Sequence, residues 1–277
     1  MKFKLIVSLI VAFIFTFTGG YLAATGVLDI FSGQKGTIRI AGGTAHIPVM
    51  KEAAMRIMKI NPDIKITVAG GGSGVGVKQV GEGLVDIGNT GRKATADEIR
   101  RYGLVLHKFA VDGIAVIVNP KNHVIQLTKK QIEDIFAGNV KKWSDLGWKD
   151  RSINVYTRDA SSGTRKVFWK KALNKGEITQ KANFVKSNGA MKSAISVDPY
   201  GIGYVSIGHL DNTVVAAAID GISPTLESVQ DGKYTIARGL YMNTKGHPSG
   251  LTKHFIDYIL SKEGQQIVNA KGFMAVR

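Results

Sequence analysis

Thr37-Ile38-Arg39-Ile40-Ala41-Gly42-Gly43-Thr44-Ala45-His46-Ile47-Pro48 runs from a strand-like stretch through a glycine turn into a helix start. Beyond it Val49, Met50, Ala53, Ala54, Ile57 and Met58 recur at helical spacing, and Pro48 suits a first helical turn because the N–H it lacks would have no partner there. The same order returns twice. Ile64 to Val68 feeds Gly70-Gly71-Gly72-Ser73-Gly74 and a helix predicted over 75–82, and Leu84 to Gly88 feeds Asn89-Thr90-Gly91-Arg92 and a helix opening near Thr95. Repeated strand, glycine turn and helix predict an α/β fold with a parallel sheet, crossover helices and a ligand crevice beyond the carboxyl ends of the strands.

Leu104 to Ala110 and Gly113 to Val118 read as two further β runs, the second broken by Asn119-Pro120, where a domain boundary is expected. The grammar then restarts with a helix over 128–136, a strand at Ile153 to Thr157 and the loop Arg158-Asp159-Ala160-Ser161-Ser162-Gly163-Thr164. A helix with Val167, Phe168, Ala172 and Leu173 inward follows, then a helix over 190–195, a strand at Ile202 to Ser206, an apolar run at Val214 to Ile219 and a strand-like segment over 234–241. The helical ending, 251–260 and 263–268, is expected to return to the starting lobe. The expected division is 1–33 as export segment and linker, 34–118 with 240–277 as lobe I, and 119–239 as lobe II.

Lys2 and Lys4 precede an apolar run from Leu5 to Phe17, the layout of an export signal. Leu22-Ala23-Ala24 is a mediocre cleavage site, and Leu5 to Ala24 approaches the ~20 residues that span a bilayer. A cleaved signal peptide and a retained N-terminal anchor both fit, and either places the chain outside the cytoplasm. The 277 residues include no cysteine, which excludes disulfides, thiolate metal sites, thiol nucleophiles and a lipid-attachment cysteine. Net charge is +16, yet the bases are dispersed in pairs such as Lys129-Lys130 and Lys170-Lys171, and only 8% of residues are aromatic. That pattern favours a solvated basic surface that attracts small anions over a nucleic-acid stripe.

Enzyme motifs are missing. Gly71 to Gly76 is followed by Val77-Lys78-Gln79, so the phosphate-loop G-K-[ST] is absent, and neither Ser73 nor Ser162 sits in a G-x-S-x-G elbow. The six histidines never pair at metal-ligand spacing, so no metal and no cofactor are expected. The three glycine/hydroxyl loops instead supply neutral donors (Thr44, Ser73, Thr90, Ser161, Ser162, Thr164), helix-start amides and the Arg158 fork. One such loop is explained by ordinary helix capping. Three of them beside an arginine favour one convergent oxyanion pocket.

On these residues, together with Ile135-Phe136-Ala137-Gly138, Ser187-Asn188-Gly189-Ala190-Met191 and Gly201-Ile202-Gly203-Tyr204-Val205-Ser206, the chain resembles the PstS-like phosphate-binding proteins of ABC-type phosphate importers. The resemblance implies a two-lobed type II periplasmic-binding-protein fold with a crossover-strand hinge, working as a monomer that delivers phosphate to a membrane permease. Membrane association then comes through that permease or an uncleaved N-terminal segment. By position it implies phosphate contacts at Thr44, Ala45, Ser73, Thr90, Gly91, Arg158, Ser162, Gly163 and Thr164. Gly43 and Gly91 depart from the family, which often has serine before the first threonine and a polar or acidic residue where Gly91 stands. Asp112 and Asp159 are the candidates for an acceptor or orienting role, Asp159 by pairing with Arg158; Asp112 also reads as a turn residue. Sulfate, molybdate or tungstate binding, and a sensor or surface-adhesion domain on the same lobes, are the alternatives.

Overall fold

The computed structural model describes residues 30–276, so the export segment expected over 1–33 lies almost wholly outside the described residues. The first unit runs β1 (Gly36–Gly42), α1 (Ile47–Ile60), β2 (Ile64–Gly71), α2 (Ser73–Gly81), β3 (Ile87–Thr90) and α3 (Ala96–Tyr102). The α1 helix forms as its spacing requires: Val49, Met50, Ala53, Ala54 and Ile57 are buried, and Lys51, Arg56 and Lys59 are exposed on the other face together with Met55 and Ile60. A capping box at Thr95 and Glu98 opens α3, and Gly103, at φ 60°, ends it in the left-handed region.

The segment read as two β runs is one strand, β4 (Leu104–Val118). The correction turns on Asp112, which is not a turn residue. It is fully buried in mid-strand and tied to Arg238, so the chain passes straight through.

After β4 come β5 (Gln126–Leu127), α4 (Lys129–Ala137), β6 (Asn154–Arg158), α5 (Gly163–Lys171), β7 (Asn183–Val185), α6 (Asn188–Val197), β8 (Gly201–Ser206), β9 (Val215–Ala216), β10 (Ala218–Ile219) and α7 (Leu226–Gln230). The run expected over 214–219 is thus split, β9 pairing with β4 and β10 with β5. The chain closes with β11 (Ala237–Lys245), α8 (Gly250–Leu260), α9 (Lys262–Ala270) and β12 (Met274–Ala275).

The strand order is β2-β1-β3-β11-β4-β8-β6-β7. Within it β1 pairs parallel with β2 and β3, as crossover helices require, and β11 pairs antiparallel with β3 and β4. Residues 104–113 of β4 face β11, whereas Ile114–Val118 face β8. Two separate cores match this change of neighbour. One contains Ile38, Val49, Phe109, Ala110, Leu240 and Phe255; the other runs from Ile114 through Phe136, Phe168 and Tyr204 to Ile236. The side chains of Ile114–Val118 therefore pack with the second lobe, which moves the crossing from the expected Val118/Asn119 to Gly113/Ile114. The return crossing lies at Ile236–Ala237, where the Ile114 amide donates to the Ile236 carbonyl at 2.8 Å.

Candidate anion-binding site

Beyond the carboxyl ends of β1, β2, β3 and β6 the lobes meet around a small cavity. Gly43, Thr44, Ala45, Gly72, Ser73 and Gly91 line it from one lobe; Arg158, Ser162, Gly163 and Thr164 line it from the other, and Arg238 from the crossing strand β11. Eight of the nine residues expected to touch an anion are brought together. The exception is Thr90, which is the last residue of β3 rather than part of the loop; its hydroxyl accepts from Asn243 Nδ2 at 3.0 Å on the neighbouring strand.

Arg158 is 1% exposed and ends β6. Its amide donates to the Tyr204 hydroxyl at 3.1 Å, and the Tyr204 ring stacks on Phe168 at 4.1 Å, so the strand end is fixed from below. Nη2 donates to the Lys186 carbonyl at 3.1 Å, while Nε and Nη1 have no partner. Burial pulls the guanidinium pKa down from its ordinary value. A buried donor left unpaired costs roughly 1–3 kcal/mol, more when charged, so the cavity is polarised for an anion.

The hydroxyls point the same way. Thr44 Oγ1 accepts from the Asn188 amide at 3.2 Å and from Asn188 Nδ2 at 3.0 Å; Ser73 Oγ accepts from the Gly91 amide at 3.0 Å. Ser162 caps α5 by accepting from the Arg165 amide at 3.1 Å. A hydroxyl has two lone pairs and one proton, so each of these, spent as an acceptor toward the protein, keeps its proton for the cavity. Capping and anion donation are compatible here rather than rival readings. Gly163 and Thr164 add the open amides of the first turn of α5.

The lobes are in contact across the cleft. The Gly74 amide donates to the Ser161 carbonyl at 3.0 Å, and Ser161 Oγ lies 3.0 Å from the Gly71 carbonyl, its one proton shared between that carbonyl and Asp159 Oδ1. A Cβ on Gly72 would lie 2.7 Å from Ser161 Oγ and 2.9 Å from its carbonyl oxygen, and Gly72 also holds φ 92°, so glycine is required twice over. The cavity is therefore a closed one.

Neither candidate acceptor faces it. Asp159 does not pair with Arg158: its Oδ1 accepts from the Ser161 amide at 2.8 Å and from the Ser161 hydroxyl. Burial raises the Asp159 pKa, but the Ser161 bonds and the charge of Arg158 outweigh it and hold the carboxyl below its ordinary value. Asp112 lies behind Arg238, taking Nε at 2.9 Å and Nη2 at 2.8 Å on Oδ2 and the Ser206 hydroxyl at 2.8 Å on Oδ1. Burial pushes its pKa up, opposed by Arg238 and Ser206. Asp112 thus orients a cation and accepts nothing from the cavity.

The two family departures have local causes. A Cβ at position 43 would lie 2.8 Å from the His46 ring, and one at position 91 would lie 2.6 Å from Arg238 Nη1. Burial, with the charge of Arg238 adding to it, lowers the His46 pKa to about 3, so this ring is neutral. Arg238 and Asn188 are not among the contacts expected from the sequence, although Asn188 lies in one of the stretches that carry the resemblance. For Arg238 a signal existed: it shares the inward phase of its strand with Leu240 and Met242, so a charge there needs a buried counterpart.

Two α/β lobes joined by crossing strands around a closed polar cavity define a periplasmic-binding-protein of the second type, and residues 32–263 match the PBP superfamily domain. Over 244 residues the chain is 40% identical to the phosphate-binding protein PstS of Bacillus subtilis strain 168, covering 87% of this chain and 81% of that one. It is similar in structure to a Clostridium perfringens phosphate ABC transporter substrate-binding protein solved with bound phosphate, at 33% identity and a TM-score of 0.82, covering 87% of this chain and 100% of that one. An ABC-type phosphate transport receptor from Vibrio cholerae superposes with a TM-score of 0.69 at 29% identity, covering 86% and 99%. The chain belongs to the PstS family of phosphate-binding proteins. Among the described residues no helix is long and apolar enough to cross a membrane, and no group of three or more metal-ligating side chains occurs.

Proposed function

We propose that this chain captures inorganic phosphate in the interlobe cavity and presents the closed, loaded form to an ABC permease, without covalent chemistry. The observation that carries the reading is Arg158: a buried guanidinium with Nε and Nη1 unpartnered in a closed, donor-lined cavity is a binding group awaiting an oxyanion. Thr44, Ser73 and Ser162 give hydroxyl protons, Ala45, Gly163 and Thr164 give helix-start amides, and Gly91 keeps the floor open. The lobe-to-lobe bonds of Ser161 and Asn188 make closure the signal that a permease reads, because they form only when both walls meet. Relatives with phosphate and transport in their names support the ligand and the partner. The chain acts as an exported monomer, held near the membrane by the permease or by residues 1–33.

Isothermal titration of the purified chain beginning at residue 34 with phosphate, sulfate, molybdate and tungstate tests the reading. Phosphate binding at a single site is the expected result; no heat with any of the four overturns it.

A further inference from the structure

We infer that a basic groove beside the cavity, walled by Lys93 on one lobe and by Lys166 and Lys170 on the other, is a second binding site, for a short chain of linked phosphate groups. The bases that look dispersed along the sequence are gathered there by the fold. Lys93 follows the end of β3 on lobe I, and Lys166, Lys170 and Lys171 come from α5 of lobe II. Ala237 and Gly239 of the crossing strand β11 lie between the two walls. Arg238 lines both the groove and the cavity with a side chain only 3% exposed, so a fixed guanidinium stands between the two sites.

The groove carries charge that the protein does not answer. Among the described residues no carboxylate lines it, and the ion pairs at its wall are Arg92 with Glu98 and Arg238 with Asp112. Lys93, Lys166 and Lys170 are exposed. Lys166 and Lys170 stand one turn apart on the same face of α5, about 5–6 Å between Cβ atoms, so two ammonium groups follow one another along that wall. Lys171 Nζ donates to the Thr235 carbonyl at 3.0 Å and the Ala237 carbonyl at 2.7 Å, which anchors it to the crossing strand with one N–H to spare. Burial, and then the neighbouring charge of Lys170, hold the Lys171 pKa below its ordinary value, the direction expected where cations crowd together.

The shape selects among polyanions. Ammonium groups on flexible stems are point charges that suit phosphate oxygens in a row without demanding one geometry. A chain can touch both walls of a groove at once, whereas a flat membrane surface reaches only its rims. Single-stranded nucleic acid is bound by successive stacking aromatics, and this groove has one aromatic, Tyr241, which lies against Gly239 of its own strand. Nor can a linked phosphate be enclosed in the cavity, where the walls meet at Ser161 and Gly74.

The experiment is calorimetric titration of tripolyphosphate into the chain beginning at residue 34, with phosphate already present to fill the cavity. It is run on the wild type, on Lys93→Gln/Lys166→Gln/Lys170→Gln, and on Lys51→Gln/Lys59→Gln/Lys141→Gln, which removes the same charge from exposed lysines outside the groove. One tripolyphosphate per wild-type chain is expected, bound more weakly as salt rises. The groove variant is expected to lose about tenfold in tripolyphosphate affinity while the other changes less than about twofold, and both keep the wild-type Kd for phosphate. Equal losses in the two variants, or tripolyphosphate that binds only by displacing phosphate, overturn the site. An oligonucleotide or anionic vesicles held through the same three lysines, with no binding of tripolyphosphate, overturn the assignment of its ligand. None of these results touches the cavity, whose reading fails separately if the wild type gives no heat with phosphate.

Discussion

Replacing Arg158 with methionine separates affinity from stability, because the same unpartnered guanidinium serves one and burdens the other. In the loaded protein Nε and Nη1 supply two charge-assisted hydrogen bonds, each contributing roughly 1.5–3 kcal/mol. The empty protein carries those donors buried and unpaired, which offsets part of that gain on substitution, and a net loss of about 3 kcal/mol remains. At 1.4 kcal/mol per decade this is on the order of a hundredfold in Kd. Folding without ligand has the opposite balance: methionine loses the Nη2 bond to Lys186 but removes an uncompensated charge from a closed cavity. The ligand-free melting temperature of Arg158→Met is therefore expected at or above that of the wild type. Phosphate at a hundredfold excess over the wild-type Kd stabilises the wild type by about 2.7 kcal/mol and the variant by only about 0.4 kcal/mol. Calorimetric titration and thermal melts with and without phosphate measure both effects. A variant whose Kd stays within about threefold of the wild type refutes the assignment of those two N–H groups to the ligand.

Gly72→Ala places a Cβ against Ser161 and strains a left-handed backbone, so it is expected to keep the lobes apart; small-angle scattering with saturating phosphate should show no compaction, and full compaction would show that closure tolerates the methyl. Asn188→Ala removes one of the two donors that orient the Thr44 hydroxyl, with an expected loss of about 1 kcal/mol in binding, roughly fivefold in Kd by titration. Stability is expected to fall as pH drops from 6.5 toward 5. His46 and His209 are depressed by burial to about 3 and about 4, so their contribution is complete above the unfolded value and is lost below it, by on the order of 2 kcal/mol each at pH 5. Denaturant melts across that range check the slope, which His46→Asn should roughly halve.

What the sequence revealed was what is local. A strand, its glycine turn and the helix beyond it lie within some twenty residues, so periodicity and turn chemistry placed Thr44, Ser73 and Ser162 at the cavity without knowledge of the sheet order. Thr90 failed for a local reason as well: the strand runs two residues past Gly88, and that extension turns its hydroxyl toward β11. The long-range residues were harder. Asp112 looked like a turn because its partner is 126 residues away, and only the paired inward phase of the two strands makes a buried ion pair of them. Asp159 next to Arg158 suggested a pair, yet consecutive strand-end side chains point apart, and the Ser161 amide two residues on is the nearer donor.

The crossing strands also set an order of assembly. Every buried member of the second core lies between Ile114 and Ile236, one uninterrupted stretch. The first core draws on residues from Phe31 to Ala110 and again from Leu240 to Phe273. Until residue 245 has been delivered, β3 lacks β11 on one side and stands as an open edge. A chain supplied N-terminus first therefore completes its second lobe before its first, and half of a sheet must wait, unpaired, for a strand that arrives some 150 residues later. The interval in which this protein is most exposed to aggregation and proteolysis is set by that insertion, before any ligand is met.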